Sequence, residues 1–155
     1  MKRHPALIPL SHDHHQCLII ANKLCQDPIG YKPNLQEIQD RLVFLKSKKP
    51  ELLSHFKIEE ELLFNFVLEN ENSFKKSVDE LREEHKHIAD LLDSISDDDN
   101  LEQDLNEFGN ALEKHIRKEE RIFFQEVQKK LDEQKLSVLS KNIFSSFITN
   151  CNLKF

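Results

Sequence analysis

The chain has 155 residues and carries 28 acidic against 22 basic side chains, a formal net charge of −6. Its acidity and lack of a basic stripe argue against a nucleic-acid partner, and only two Gly and five Pro beside eleven Phe disfavour a turn-rich all-β fold. No apolar run reaches the roughly 18 residues needed to cross a bilayer, and Met1-Lys2-Arg3-His4-Pro5 lacks the apolar stretch of a signal peptide. Cys17, Cys25 and Cys151 contain no CxxC pair, so the reading is a soluble, cytoplasmic protein without a disulfide framework.

Apolar residues recur in steps of three and four, which predicts helices throughout. The first is expected over about Pro9–Cys25, with Ser11 or Asp13 near its start, followed by a loop from Gln26 to Asn34 punctuated by Pro28, Gly30 and Pro33. A second begins near Leu35 and continues past Phe66, with Pro50 expected to kink it or start a new turn. A third spans about Ser73–Ile95 with Ser73 as N-cap, and Ser96–Asn100 forms a polar turn. The fourth covers about Leu101–Leu131. A last helix, about Ser137–Asn150, carries Leu139, Ile143, Phe144 and Phe147 on one side. Together these predict one all-α domain over residues 1–155: an up-down-up-down four-helix bundle with its core at about 7–131, plus a C-terminal helix.

The helical stripes contain side chains foreign to an apolar core. The fourth reads Leu101, Leu105, Phe108, Leu112, His115, Glu119, Ile122, and the second Leu52, His55, Glu59, Leu62, Phe66. The third reads Phe74, Val78, Leu81, His85, Ile88, Leu92, Ile95, and the first Leu10, His14, Cys17, Ala21, Leu24. This register selects four of the eight histidines, one per helix, and leaves His4, His12, His15 and His87 outside.

Buried carboxylates and imidazoles are costly unless something compensates them. A cation does, because both groups ligate first-row transition metals. At i, i+4 spacing His55 can reach the same point as Glu59, and His115 the same point as Glu119. About one His-x-x-x-Glu pair is expected by chance in this composition, so the weight lies on both pairs falling in apolar seams of alternate helices. Each follows a helix with a lone seam histidine. The result is a two-fold repeat, His14 then His55/Glu59, His85 then His115/Glu119, which suits two metal ions.

The stretches Asp13-His14, His55-Phe56-Lys57-Ile58-Glu59-Glu60, Glu84-His85 and His115-Ile116-Arg117-Lys118-Glu119-Glu120 resemble the hemerythrin-like (HHE cation-binding) family over about Leu7–Leu131. The resemblance implies a four-helix bundle around a non-haem di-iron centre, two iron ions bridged by oxo or hydroxo. His14, His55, His85 and His115 would be terminal ligands, and Glu59 and Glu119 would bridge. The oxygen carriers of that family have a fifth histidine four residues past the third-helix histidine. Here that position is Ala89, so the centre is expected to be more open to a diatomic ligand or peroxide.

The leading expectation is therefore binding of dioxygen, nitric oxide or peroxide at an open iron position. Redox turnover, iron-centre repair, or an iron- or oxygen-responsive interaction through the last helix are the alternatives, with a redox or protein partner. Zinc and manganese share the donor preferences. Cys17 reads as core filler. Glu60 and Glu120 read as solvated, with a role behind the ligands as the alternative. Phe64, Phe66, Phe123 and Phe124 read as packing that could also limit water access.

Overall fold

A computed structural model describes residues 1–25 and 27–152. Gln26, where the predicted loop begins, and the Cys151 side chain lie outside what is described. Every regular element among the described residues is helical: α1 (Ile8–Cys25), α2 (Leu35–Ile58), α3 (Asn65–Asn70), α4 (Lys75–Ser94), α5 (Leu101–Lys118), α6 (Phe124–Lys130) and α7 (Glu133–Asn152). A π-helical turn at Glu59–Phe64 joins α2 to α3, and a second at Glu119–Phe123 joins α5 to α6, so each trio is one continuous rod. Four long rods thus form a helical bundle, and α7 packs on its end. No helix of the described residues is long and apolar enough to cross a membrane.

The helix starts reflect local capping. α1 is preceded by a 3-10 turn at Pro5–Leu7, whose first free amide, Ala6 N, donates to His4 Nδ1; Ser11 and Asp13 fall within the helix near its start. Asn34 caps α2 by accepting from Glu37 N at 2.9 Å. Ser73 is not a cap. It sits inside a 3-10 turn at Asn72–Phe74, and Glu71 accepts from its amide instead. α7 begins four residues before the expected Ser137 because the Asp132 carboxylate accepts from Lys135 N at 2.8 Å.

Pro50 does not start a new helix: α2 runs through it as one element. The proline is exposed, as is Lys46, so water can satisfy the carbonyl that loses its partner.

α1 lies closest to α5, and Gly109 makes that approach feasible. A Cβ there would stand 2.8 Å from Cys25 Sγ and 3.1 Å from the Ala21 carbonyl oxygen. The apolar interior divides into two clusters. One, including Leu7, Leu10, Phe64, Val78, Phe124 and Leu139, lies under α7. The other, including Leu24, Leu45, Leu52, Ile88, Phe108 and Leu112, fills the remainder of the bundle. On α7, Leu139 and Ile143 are buried but Phe144 is 60% exposed, so Phe144 does not share their face.

Candidate metal centre

Four seams carry the site, and two of them change register at it. From Leu52 through His55 to Glu59, and from Leu112 through His115 to Glu119, the side chains face inward at ordinary α-helical spacing. Each π turn then inserts one residue, rotating the following chain by about 100°. The expected seam positions Leu62 and Phe66 are therefore only half-buried, and Leu63 and Val67 take their places. Ile122 is likewise 60% exposed while Phe123 is buried. The extra residue also turns two consecutive side chains inward, Leu63-Phe64 and Phe123-Phe124. Phe64 stacks on His85 at 5.5 Å between ring centres, and Phe124 on His14 at 5.0 Å. Phe56 covers another face of His85 at 4.1 Å.

His14, His55, Glu59, His85, His115 and Glu119 are the only buried polar or charged side chains among the described residues. The structure brings all six together. His14 Nε2 lies 2.9 Å from Glu59 Oε1 and 3.1 Å from Glu119 Oε2. His55 Nε2 lies 3.2 Å from Glu59 Oε1, and His85 Nε2 3.2 Å from Glu59 Oε2. His115 Nε2 lies 3.3 Å from Glu119 Oε2. These donors fall into two sets, His14/His55/Glu59/Glu119 and Glu59/His85/His115/Glu119, within each of which the ligand atoms lie within 4.8 Å of one another. Both glutamates belong to both sets. His4, His12, His15 and His87 stay outside, the last three exposed.

Close approach does not amount to satisfaction. The Nε2 atoms of His55, His85 and His115, Oε2 of Glu59 and both carboxylate oxygens of Glu119 are buried without a hydrogen-bond partner. Native interiors rarely leave such atoms unpaired, since each costs about 1–3 kcal/mol. Six in one spot, all nitrogen and carboxylate oxygen, form a donor set suited to a transition metal.

The outer nitrogens are all engaged. His14 Nδ1 meets Glu120 Oε1 at 2.7 Å, His55 Nδ1 meets Asp13 Oδ2 at 3.3 Å, His85 Nδ1 meets Glu60 Oε1 at 3.1 Å, and His115 Nδ1 meets Glu84 Oε2 at 2.7 Å. Glu60 and Glu120 are therefore not simply solvated. Carboxylates behind the imidazoles fix ring orientation and direct Nε2 inward. Periodicity favoured the solvated reading because both acids follow the seam glutamate and lie off the stripe; their contacts support the alternative, a role behind the ligands.

Electrostatics follow from the crowding. Burial opposes a charged His14 ring, but the carboxylates of Glu119, Glu120 and Glu59 outweigh it and hold its pKa well above the ordinary value. Burial is likewise outweighed at His55 by Glu59 and Asp13, and at His85 by Glu59 and Glu60, raising each to about 9. Glu59 is buried too, yet His55, His14 and His85 hold it well below the carboxylate range. Burial would raise Glu84 and Glu120, but His115 with Lys118, and His14 with Ser11, hold them at about 2. Burial pushes the Cys17 thiol up to about 12, the behaviour of packing rather than of a nucleophile.

The family model described as Hemerythrin HHE cation binding domain matches residues 9–127. No curated protein and no solved structure matches the chain.

Proposed function

Since the chain belongs to the hemerythrin HHE cation-binding domain family, its model matching residues 9–127 of 155, we propose that it is a non-haem di-iron protein that binds a small ligand, namely dioxygen, nitric oxide or peroxide. The observation that carries this reading is the set of buried, unpartnered donor atoms, arranged as two groups with Glu59 and Glu119 in common. His14 and His55 would hold one ion and His85 and His115 the other, with Glu59 and Glu119 available to both. In this reading the whole chain is one domain whose four rods alternate up-down-up-down, with α7 added.

Iron, when bound, supplies redox and ligand-binding chemistry that none of these side chains has on its own. The chain's part is geometric and dielectric. Each set offers four protein donors and Ala89 adds no further imidazole, so a bound non-haem iron would keep an open position for a small ligand. Phe56, Phe64 and Phe124 cover the histidine faces and keep bulk water off the centre. The free thiols of Cys17 and Cys25 suit a reducing compartment such as the cytoplasm.

Elemental analysis of the purified chain, with optical spectra taken after anaerobic reduction and again with each ligand, tests the proposal. Two irons per chain and absorption bands that come and go with one of the three ligands are expected. A chain that takes up no iron, or an iron-loaded one indifferent to all three, refutes it.

A further inference from the structure

Arg3 belongs to neither donor set, yet it reaches His14 by two routes. Its guanidinium donates to Glu120 Oε2 at 2.5 Å and to the Glu120 carbonyl at 2.9 Å. The other oxygen of that carboxylate, Oε1, meets His14 Nδ1 at 2.7 Å and accepts from the Ser11 hydroxyl at 2.7 Å. The guanidinium carbon also lies 5.1 Å from the centre of the Phe124 ring, the ring stacked on His14. One cation thus holds a carboxylate against the edge of His14 and an aromatic ring against its face.

The segment that carries Arg3 is itself fastened. His4 N donates to Gln128 Oε1 at 2.8 Å, and Gln128 Nε2 donates to the Lys2 carbonyl at 3.0 Å. Arg3 Nη1 shares Gln128 Oε1 at 3.3 Å, and Ala6 and Leu7 just beyond are buried. The other imidazoles lack this bracing. Glu84, behind His115, receives a single ammonium from Lys118 at 2.6 Å. Asp13 and Glu60, behind His55 and His85, form no ion pair with Lys or Arg among the described residues.

We propose that Arg3 is a positioning residue for the metal site: a clasp from the segment before α1 that fixes the His14 ring with Nε2 toward Glu59 and Glu119, and so sets the affinity of the His14/His55 half over the other half. The proposal rests on the metal reading above. Donation from Nδ1 to a carboxylate leaves the Nε2 lone pair for the ion, and loss of such an outer partner costs about 10–100-fold in metal affinity. Without Arg3, the partly exposed Glu120 is free to turn to water, and Phe124 loses the cation over its ring.

The test is a titration of the metal-free full chain with Co(II), followed by visible absorption and calorimetry, for the wild type, Arg3→Ala, Arg3→Lys and Arg41→Ala. Arg41 is a matched control, because its ion pair with Asp27 involves none of the six donors or their partners. The wild type should take up two equivalents. Arg3→Ala should weaken one of them by about 10–100-fold and change its spectrum, leaving the other within about twofold. Arg3→Lys should recover part of that loss, since an ammonium reaches Glu120 but cannot span to Gln128 while lying over Phe124. Arg41→Ala should match the wild type. Should Arg3→Ala fail to fold, Ser11→Ala removes the other donor to Glu120 and should weaken the same equivalent by a smaller factor. Equal weakening of both equivalents, or two wild-type-like equivalents in Arg3→Ala, overturns the clasp alone. A wild type that takes up no Co(II) overturns the metal reading, and the clasp with it.

Discussion

Replacing Glu59 by glutamine keeps the shape of the side chain and removes one charge from the point where both donor sets meet. Without metal, that charge is the largest of the contributions that hold His55 and His85 protonated, each at about 9 against an ordinary 6.5, with Asp13 and Glu60 adding to it. A rise of that size corresponds to roughly 3 kcal/mol at about 1.4 kcal/mol per pKa unit, taken once because the two rings share a single carboxylate. An imidazole pKa raised by folding contributes stability that is fully present below the unfolded value near 6.5 and is lost as pH climbs through about 9. Metal-free Glu59→Gln should therefore melt ~6–12 °C below the metal-free wild type at pH 6, at about 2–4 °C per kcal/mol for a chain of this size. The gap should close as pH rises through 9. Metal content supplies the second half of the assay. Because Glu59 lies in both sets, Glu59→Gln should lose both ions, whereas His85→Gln, confined to one set, should keep one. Thermal melts by circular dichroism across pH and metal analysis after dialysis check both. A pH-independent gap, or a Glu59→Gln chain that retains two ions, would refute the reasoning.

Two further outcomes follow from the same geometry. Metal uptake at pH 7.5 should expel about two or three protons per chain, because ligation requires neutral imidazole and His14, His55 and His85 are held protonated beside their carboxylates; calorimetry in buffers of different ionisation enthalpy measures this, and a buffer-independent heat contradicts it. Gly109→Ala should destabilise the fold by about 1–3 kcal/mol in urea unfolding, despite the helix propensity gained. Its Cβ would meet the Ala21 carbonyl and Cys25 at 3.1 Å or less, and unchanged or increased stability would show that α1 can move aside.

The six central residues were legible because burial at helical spacing is a property of the seam alone. Stepping by threes and fours from Leu10, Leu52, Phe74 and Leu101 selects His14, His55, Glu59, His85, His115 and Glu119, all buried, and passes over the exposed His12, His15 and His87. The same stepping fails one turn later, at Leu62, Phe66 and Ile122, because a π turn inserts one residue that no local propensity signals. After the insertion Phe64 and Phe124 both lie on histidine rings of other rods, contacts that only the assembled bundle provides. Pro50 misled in the opposite direction. The penalty for an internal proline is real, but at an exposed position water can satisfy the orphaned carbonyl, and the helix continues. The contacts of Glu60 and Glu120 also depend on which rod lies alongside, and that is absent from either helix taken alone.

The outer carboxylates close a circuit through the bundle. Asp13 on α1 supports His55 on α2; Glu60, on the π turn after α2, supports His85 on α4; Glu84 on α4 supports His115 on α5; and Glu120, on the π turn after α5, returns to His14 on α1. Each rod therefore lends one acid to the next rod's histidine, and no histidine is oriented by its own helix. This explains why an acid stands beside a seam ligand in all four motifs although only two of the four sit in the His-x-x-x-Glu pairs. It also makes the site a property of the assembled bundle: a rod that shifts carries off both a histidine and its neighbour's carboxylate. Cooperative assembly of this kind ties the geometry of the six inner donors to packing of the two apolar clusters on either side. The one carboxylate of the circuit that an arginine grips is Glu120, where residues 2–4 fasten to the second π turn and α6 and the circuit returns to its start.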